Sequence, residues 1–239
     1  MQIGILECGP TRPEVAARHG TYPEMFVRLF SGRGWSFASW AVKDMDFPES
    51  PLAADAWILT GSRYGAYEDH AFIPRLEAFI RDAHDRGRPM LGICFGHQII
   101  AQAMGGRVEK ARSGWEIGRQ TYEIDGLGPV ALTAWHQDQV ARVPDGADVV
   151  GRGETCPVAA MRFGNWGLTV QAHPEFGRDV TATFLDIPLD PSIYPADRLD
   201  AARRTLDRPL DTAPVVDWLA GFLEASVGDA QDRRSRHHA

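Results

Sequence analysis

Short apolar runs alternate with amphipathic segments along the first half of the chain. Four of the runs predict strands, at 2–7, 35–42, 55–59 and 89–93. The segments 24–30 and 72–85 carry apolar residues at helical spacing, and a third such segment runs from residue 95 to a Gly-Gly stop at 105–106. Strands that alternate with helices in this order predict a parallel sheet covered by helices on both faces.

The second half of the chain has a different pattern, in which glycine, proline and aspartate break the apolar runs. These runs predict strands joined by tight turns, at 118–124, 130–134, 147–151, 158–163 and 168–171. We therefore expect an α/β fold in one domain, residues 1–228, with an open and mostly parallel central sheet and additional antiparallel strands in the C-terminal half.

The end of the chain is less regular. The segment 186–212 is rich in Pro, Asp and Arg and predicts a surface excursion with a short helix at 196–205. A C-terminal helix is predicted at 214–225, and the polar tail 229–239 is expected to be disordered.

Composition narrows the possible partners. Of the 239 residues, 44% are hydrophobic, which is enough for a sizeable core. The net charge of −7, without a basic stripe, argues against nucleic acid. No apolar run approaches the ~18 residues of a membrane span, and the N-terminus lacks the basic region of a signal peptide.

The cysteines and histidines do not form a recognisable metal or disulfide framework. Cys8, Cys94 and Cys156 are irregularly spaced, which predicts reduced thiols and a cytoplasmic location. Neither CxxC nor HExxH occurs, so we expect no metal and no cofactor.

The stretch 89–106, PMLGICFGHQIIAQAMGG, has the features of a nucleophile elbow. A buried strand leads into Gly92-x-Cys94-x-Gly96, and a helix follows at once. Glycines relieve crowding in such a strained turn, and the helix N-terminus favours the thiolate form of Cys94. The alternative is a buried structural cysteine between two ordinary glycines.

Two other turns are predicted to lie at the same edge of the sheet. Thr60 to Gly65 follows the third strand and is a small-residue turn of the kind that offers backbone N–H groups to an anion, although a plain connection is the alternative. His173 and Glu175 follow the strand at 168–171 and are two residues apart, which suits a base and its orienting carboxylate. For either residue alone, a hydrogen-bonded loop residue is the alternative.

Four motifs in this order resemble the class I (triad-type) glutamine amidotransferase family, in its GMP-synthase-like branch. They are Thr60-Gly61-Ser62, Gly92-Ile93-Cys94-Phe95-Gly96-His97-Gln98, Trp135-His136-Gln137-Asp138-Gln139-Val140 and His173-Pro174-Glu175. The chain is also similar to the free-standing γ-glutamyl peptidases of the same superfamily. The resemblance covers about residues 1–185 and implies a flavodoxin-like arrangement of the sheet.

The resemblance also implies roles for individual residues. Cys94 is the expected nucleophile, His173 the general base and acid, and Glu175 the group that orients His173. The backbone N–H groups of Phe95 and Ser62 are expected to form the oxyanion hole. The glutamate portion of the substrate is expected to be held by Gly61, Gln98, Gln137 and Asp138. The family commonly has glycine where Ser62 stands here and serine where Trp135 stands.

Three hypotheses of function follow. The first is a glutaminase that cleaves the γ-amide of glutamine through a thioester and releases ammonia, with a separate synthase subunit as a possible recipient, because no synthase motif occurs in the sequence. The second is a γ-glutamyl peptide or γ-glutamyl amine hydrolase that acts alone on a small-molecule substrate. The third, from another class, is a non-catalytic partner-binding module, against which the intact Cys94, His173 and Glu175 set argues.

Overall fold

A nine-stranded mixed sheet lies at the centre of the structure, a computed structural model that describes residues 1–237, with side chains as far as residue 230. The strands, in chain order, are β1 (Gln2–Leu6), β2 (Ser36–Trp40), β3 (Ala56–Leu59), β4 (Met90–Ile93), β5 (Arg107–Lys110), β6 (Glu116–Ile124), β7 (Gly128–His136), β8 (Asp138–Arg142), β9 (Asp148–Gly153), β10 (Ala160–Phe163) and β11 (Gly167–Val170). β5 and β8 pair with each other in a separate antiparallel ribbon.

Seven α-helices surround the sheet in the part of the chain that the structure describes. They are α1 (Pro13–His19), α2 (Tyr22–Leu29), α3 (Phe72–Asp85), α4 (Phe95–Ala103), α5 (Arg178–Asp186), α6 (Ala196–Thr205) and α7 (Thr212–His237). Over the described residues, none of these helices is both long and apolar enough to cross a membrane.

The strand order places the parallel strands together. The order is β2-β1-β3-β4-β11-β10-β9-β6-β7; the pairs from β2 to β11 are parallel and the pairs from β11 to β7 are antiparallel. Parallel strands end at the same edge, so the loops after β1, β3, β4 and β11 converge there. The predicted α/β fold, with a mostly parallel centre and antiparallel strands added by the second half, is confirmed.

Two apolar layers, one on each face of the sheet, hold the helices in place. On one face α2 and α7 bury Phe26, Phe30 and Leu219 against β1 and its neighbours. On the other face α3 and α4 bury Leu76 and Ile99. Strands with apolar side chains on both faces require cover on both sides, which is why the helices divide between two layers.

Several elements differ from the sequence-based predictions. Four elements were not predicted. α1 buries only Val15, β5 buries only Val108, and β8 is a strand of five residues. The fourth, α5, buries five of its nine residues. The C-terminal helix α7 continues past the predicted end at residue 225 to His237 and overlaps the tail 229–239. Residues 238–239 lie outside the described chain, and the disorder of the tail stays a prediction.

The segment 186–212 is more firmly attached than a surface excursion. Its helix α6 has the predicted bounds and packs on β6, where Ala202 is 2% exposed. This close approach depends on Gly118, which has φ of +83°, since a Cβ there would lie 2.5 Å from the Ala202 Cβ. Arg203 also donates a hydrogen bond to the Leu185 carbonyl at 2.9 Å.

Backbone crowding sets the turn between β4 and α4. A Cβ on Gly92 would lie 2.5 Å from the carbonyl oxygen of Gly96, and a Cβ on Gly96 would overlap the carbonyl of Leu59. The first turn of α4 is therefore pressed directly onto the ends of β3 and β4. Only glycine permits this contact, as the sequence pattern indicated.

We expect Gly96→Ala to destabilise the fold by about 1–3 kcal/mol, because the added methyl group overpacks a site bounded by backbone atoms. The free energy of unfolding from denaturant titration measures the effect. Gly221→Ala is the matched control, since Gly221 is an exposed residue within α7, where an added Cβ would meet no neighbouring atom within 4 Å. That substitution is expected to stabilise by about 0.5–1 kcal/mol. Equal effects from the two substitutions would contradict the assignment.

Candidate active site

Cys94 occupies the tip of the turn between β4 and α4. It has φ of +53° and ψ of −103°, which a residue with a side chain seldom adopts, and it is 4% exposed. Its N–H donates to the Val170 carbonyl at 2.9 Å, and its own carbonyl accepts from the N–H of Gln98 at 3.1 Å. The strained turn is thus fixed on both sides by hydrogen bonds to β11 and to the first turn of α4.

His173 follows β11 and is held by three separate contacts. Its N–H donates to the Thr133 carbonyl at 2.8 Å, which fixes the backbone against β7. The imidazole ring stacks on Phe176 with a centroid distance of 4.1 Å and an interplanar angle of 2°. Nδ1 pairs with Oε1 of Glu175 at 2.7 Å. The ring is therefore fixed in plane and in rotation.

The surroundings of His173 favour its protonated form. Burial alone would lower its pKa, but the charges of Cys94 and Glu175, together with hydrogen bonds to both, outweigh burial and raise the pKa to about 10. The protonation of His173 therefore contributes its full stabilisation of the folded state at pH values below 6.5, the ordinary pKa of histidine. That stabilisation is lost as the pH rises through about 10. Its contacts with Cys94 and Glu175 thus favour the imidazolium form of the ring.

The other two cysteines have a different environment. Cys8 and Cys156 are fully buried, and burial raises the pKa of each thiol well above its usual value. None of the three cysteines is in a disulfide. Cys8 and Cys156 are thus held as thiols, whereas Cys94 adjoins a histidine.

The turn after β3 faces the histidine. A Cβ on Gly61 would lie 2.8 Å from Cε1 of His173, so the turn passes directly over the ring. The hydroxyl of Ser62 accepts a hydrogen bond from the Tyr64 N–H at 3.1 Å, which shapes the turn from within. Ser62 and Phe95 therefore lie in segments that flank Cys94 and His173.

Of the four residues predicted to hold the glutamate portion, Gly61 lies in the turn after β3, whereas Gln98, Gln137 and Asp138 lie at or near the start of β8. Gln98 donates from Nε2 to the Asp138 carbonyl at 2.8 Å and to Oε1 of Gln171 at 3.1 Å. The Gln137 carbonyl accepts from the Ala111 N–H at 2.7 Å. Both donors of the Gln98 amide are thus used within the protein. Its contact with Asp138 positions that backbone.

Asp138 also joins the turn after β3 to β8. Its Oδ1 accepts a hydrogen bond from the Tyr67 hydroxyl at 3.1 Å. Burial raises the pKa of Asp138, and the bond from Tyr67 opposes that shift. By contrast, Tyr64 packs against His70 and Phe72, with ring centroids 4.3 Å and 5.9 Å away.

Two residues beside the catalytic candidates were not predicted as site residues. Tyr22, at the start of α2, stacks on Phe176 at 6.0 Å and lies next to Gly61. His136 is buried with Nε2 3.6 Å from Oε2 of Glu116. Burial first, and the neighbouring His173 and His97 second, lower the pKa of His136 to about 3. His136 belonged to a recognised motif, whereas nothing in the local sequence singled out Tyr22.

In the described part of the chain, no group of three or more His, Cys, Asp or Glu side chains is arranged to hold a metal ion.

The turn at Cys94 and the buried His173–Glu175 pair lie together at the edge of the parallel sheet, and the chain belongs to the class I glutamine amidotransferase family. The match to Glutamine amidotransferase class-I covers residues 42–185, which include Cys94, His173 and Glu175. The family predicted from the four sequence motifs is confirmed.

Relatives of two kinds are similar to this chain. Gamma-glutamyl peptidase 4 of Arabidopsis thaliana is 31% identical over 183 residues, or 70% of this chain and 73% of that protein. A glutamine-hydrolysing GMP synthase of Clostridium acetobutylicum is 35% identical over 144 residues, or 54% of this chain but 27% of the synthase. A glutamine amidotransferase of Thermotoga maritima has the same fold, with a TM-score of 0.72, 22% identity, and coverage of 95% of this chain and 98% of that one.

We expect the ring resonances of His173 in an NMR titration to report an imidazolium throughout the neutral range and deprotonation near pH 10. Glu175→Gln should move this transition to lower pH, because it removes a negative charge hydrogen-bonded to Nδ1. His136 provides the internal control and should stay neutral down to about pH 3. A His173 transition near 6.5 that Glu175→Gln leaves in place would contradict the assigned environment.

Proposed function

We propose that the protein is a cysteine hydrolase that cleaves γ-glutamyl amide bonds, with γ-glutamyl peptides as its substrates. One observation carries the proposal. Cys94 lies in a strained turn beside a buried imidazole, and the other side of that imidazole is paired with Glu175 at 2.7 Å. This is the arrangement of an activated nucleophile, its base and the group that orients the base.

In the proposed first step, the Cys94 thiolate attacks the γ-carbonyl carbon of the substrate. The N–H groups of Phe95 and Ser62 stabilise the oxyanion that forms, and a donor of this kind contributes about 10²–10³ in rate. Protonated His173 then gives its proton to the departing amine, so the C–N bond breaks and a γ-glutamyl thioester remains. Glu175 stabilises the imidazolium until that transfer.

In the second step, neutral His173 takes a proton from water, and the hydroxide equivalent attacks the thioester. The C–S bond breaks, glutamate leaves, and the thiolate–imidazolium pair is restored. Gly61, Oε1 of Gln98 and the backbone of Gln137 and Asp138 are proposed to hold the glutamate portion through both steps. Free thiols at all three cysteines suit a reducing compartment, so a cytoplasmic location remains our expectation.

The choice of peptides as substrates draws on the relatives and on the mouth of the site. A 31% identical relative is named a gamma-glutamyl peptidase. Trp135 lies next to His136 and carries its half-buried ring where the family commonly has a serine, which offers apolar surface to a leaving group larger than ammonia. Hydrolysis of glutamine for a separate synthase subunit is the second candidate, supported by the similarity to the GMP synthase.

We expect Cys94→Ala to lower kcat by a factor on the order of 10⁶, because loss of a triad nucleophile removes the covalent pathway. Steady-state hydrolysis of a γ-glutamyl dipeptide measures the loss, with circular dichroism to show that the fold is retained. Cys8→Ala is the matched control and should keep its activity, since Cys8 is buried beneath the turn as a protonated thiol. Near wild-type turnover by folded Cys94→Ala would overturn the role of Cys94.

We also expect the isolated chain to hydrolyse γ-glutamyl dipeptides at least about tenfold faster than glutamine in kcat/KM, because remote binding energy from a larger leaving group is used in the transition state. An α-glutamyl dipeptide of the same composition is the control for linkage and should not react. Rapid hydrolysis of glutamine without reaction of any γ-glutamyl peptide would favour the glutaminase instead.

A further inference from the structure

The loop that follows β1 reaches the same edge of the sheet as Cys94 and His173. β1 runs parallel to β3, so residues 8–12 emerge beside the turn of Gly61 and Ser62. The contact is close, since a Cβ on Gly9 would overlap the hydroxyl of Ser62. The hydroxyl of Thr11 accepts a hydrogen bond from the Tyr22 N–H at 2.9 Å, which ties the loop to the start of α2.

Arg12 ends this loop and brings a cation to the mouth of the site. Its side chain is half-buried, and it forms no ion pair with any carboxylate in the described part of the chain. Its contacts are with Tyr194, whose hydroxyl accepts from Nη2 at 3.4 Å and whose ring centroid lies 5.9 Å from the guanidinium carbon. A partly desolvated guanidinium of this kind is well suited to a carboxylate, which it can bind through two parallel hydrogen bonds.

Tyr22 shows that this cation and the reacting groups share one small region. A Cβ added to Gly61 would lie 3.7 Å from the Tyr22 ring and would also touch the His173 ring. Tyr22 and His173 therefore lie against the same small turn. Burial raises the pKa of Tyr22 well above its usual value, the charges of Glu175, Cys94 and Tyr194 add to the shift, and that of Arg12 opposes it. Tyr22 is thus in contact with the turn at Gly61, beside His173, and is hydrogen-bonded through its N–H to Thr11, the residue before Arg12.

An aromatic wall continues from Arg12 along the mouth. The ring of Tyr194 lies 4.7 Å from that of Trp115 and 6.1 Å from that of Trp135, all three being half-buried. Trp135 is joined in sequence to His136 and Gln137, where the glutamate portion is proposed to bind. Apolar surface next to a cation matches a leaving group that combines an amino-acid body with a carboxylate.

We propose that Arg12 binds the carboxylate of the departing amino acid or peptide, so that the preferred substrates are γ-glutamyl peptides with a free C-terminus. The inference rests on the proposed function and names the substrate class of that same site. It gives the segment 186–212 a role, because that segment supplies Tyr194, the residue against which the guanidinium is held.

The test compares three substrates: γ-glutamylglycine, its C-terminal amide, and glutamine. Wild-type protein should prefer the free acid to the amide by about tenfold or more in kcat/KM, since the amide cannot accept a charge-assisted pair. Arg12→Gln should lower kcat/KM for the acid by about 10–100-fold, with a much smaller loss for the amide and for glutamine. Arg12→Lys keeps the charge without the planar fork and should retain more of the preference.

Arg18→Gln is the matched control, because Arg18 is an exposed arginine at the far end of α1, and it should leave the preference for the acid unchanged. Equal losses on all three substrates, or a wild-type enzyme indifferent to the carboxylate, would overturn the role of Arg12 and leave the proposed function standing. If wild-type protein hydrolyses no γ-glutamyl compound, the proposed function itself fails. Thermal unfolding of each variant shows whether a loss of activity reflects a loss of fold.

Discussion

The contact between the first turn of α4 and the ends of two strands is the constraint on which the site depends. Gly96 lies against the Leu59 carbonyl, and Gly92 lies against Gly96, so the chain has to reverse within a few residues. Cys94 absorbs that reversal with a positive φ. The cost of such a conformation is of order 1–3 kcal/mol and is offset by the buried strands on either side, β3 and β11.

With Cys94 fixed, the order of the strands in the sheet determines which residues lie close to it. β11 lies next to β4 and runs parallel to it, so His173 emerges from the same edge one strand away. The antiparallel strands then contribute from outside, because the Thr133 carbonyl on β7 receives the N–H of His173. Burial lowers the pKa of His136 and would also lower that of His173, but the interactions of His173 with Cys94 and Glu175 outweigh burial and raise its pKa. The pKa values of these two histidines are thus shifted in opposite directions, by burial for His136 and by contacts with Cys94 and Glu175 for His173.

The sequence alone predicted the parts of the structure that are defined locally. The helix at Phe72–Asp85 and the helix at Ala196–Thr205 have their predicted bounds, because each is a regular amphipathic segment between clear breaks. The elbow and the His–Glu pair were recognisable because the chemistry requires short spacings. β5 and β8 were not predicted, because each is short and its few buried side chains carry no clear alternation. Arg12 and Tyr22 have no local pattern, and their importance appears only when distant segments meet.

Residues in short sequence motifs and residues brought together from distant segments differ in the positional precision that their proposed roles require. Groups that break and form bonds must lie within fixed distances of one another, so they are held by short motifs on rigid strand ends. In the function that we propose, the groups that select the leaving amine need only face its far end. We assign them to the loop after β1, the residue before β6 and the segment 186–212. Tyr194 and Trp115 are in contact although they lie in separate parts of the chain. Such a wall can change in sequence without disturbing the turn at Cys94. In the function that we propose, one arrangement of reacting groups can therefore serve different γ-glutamyl substrates.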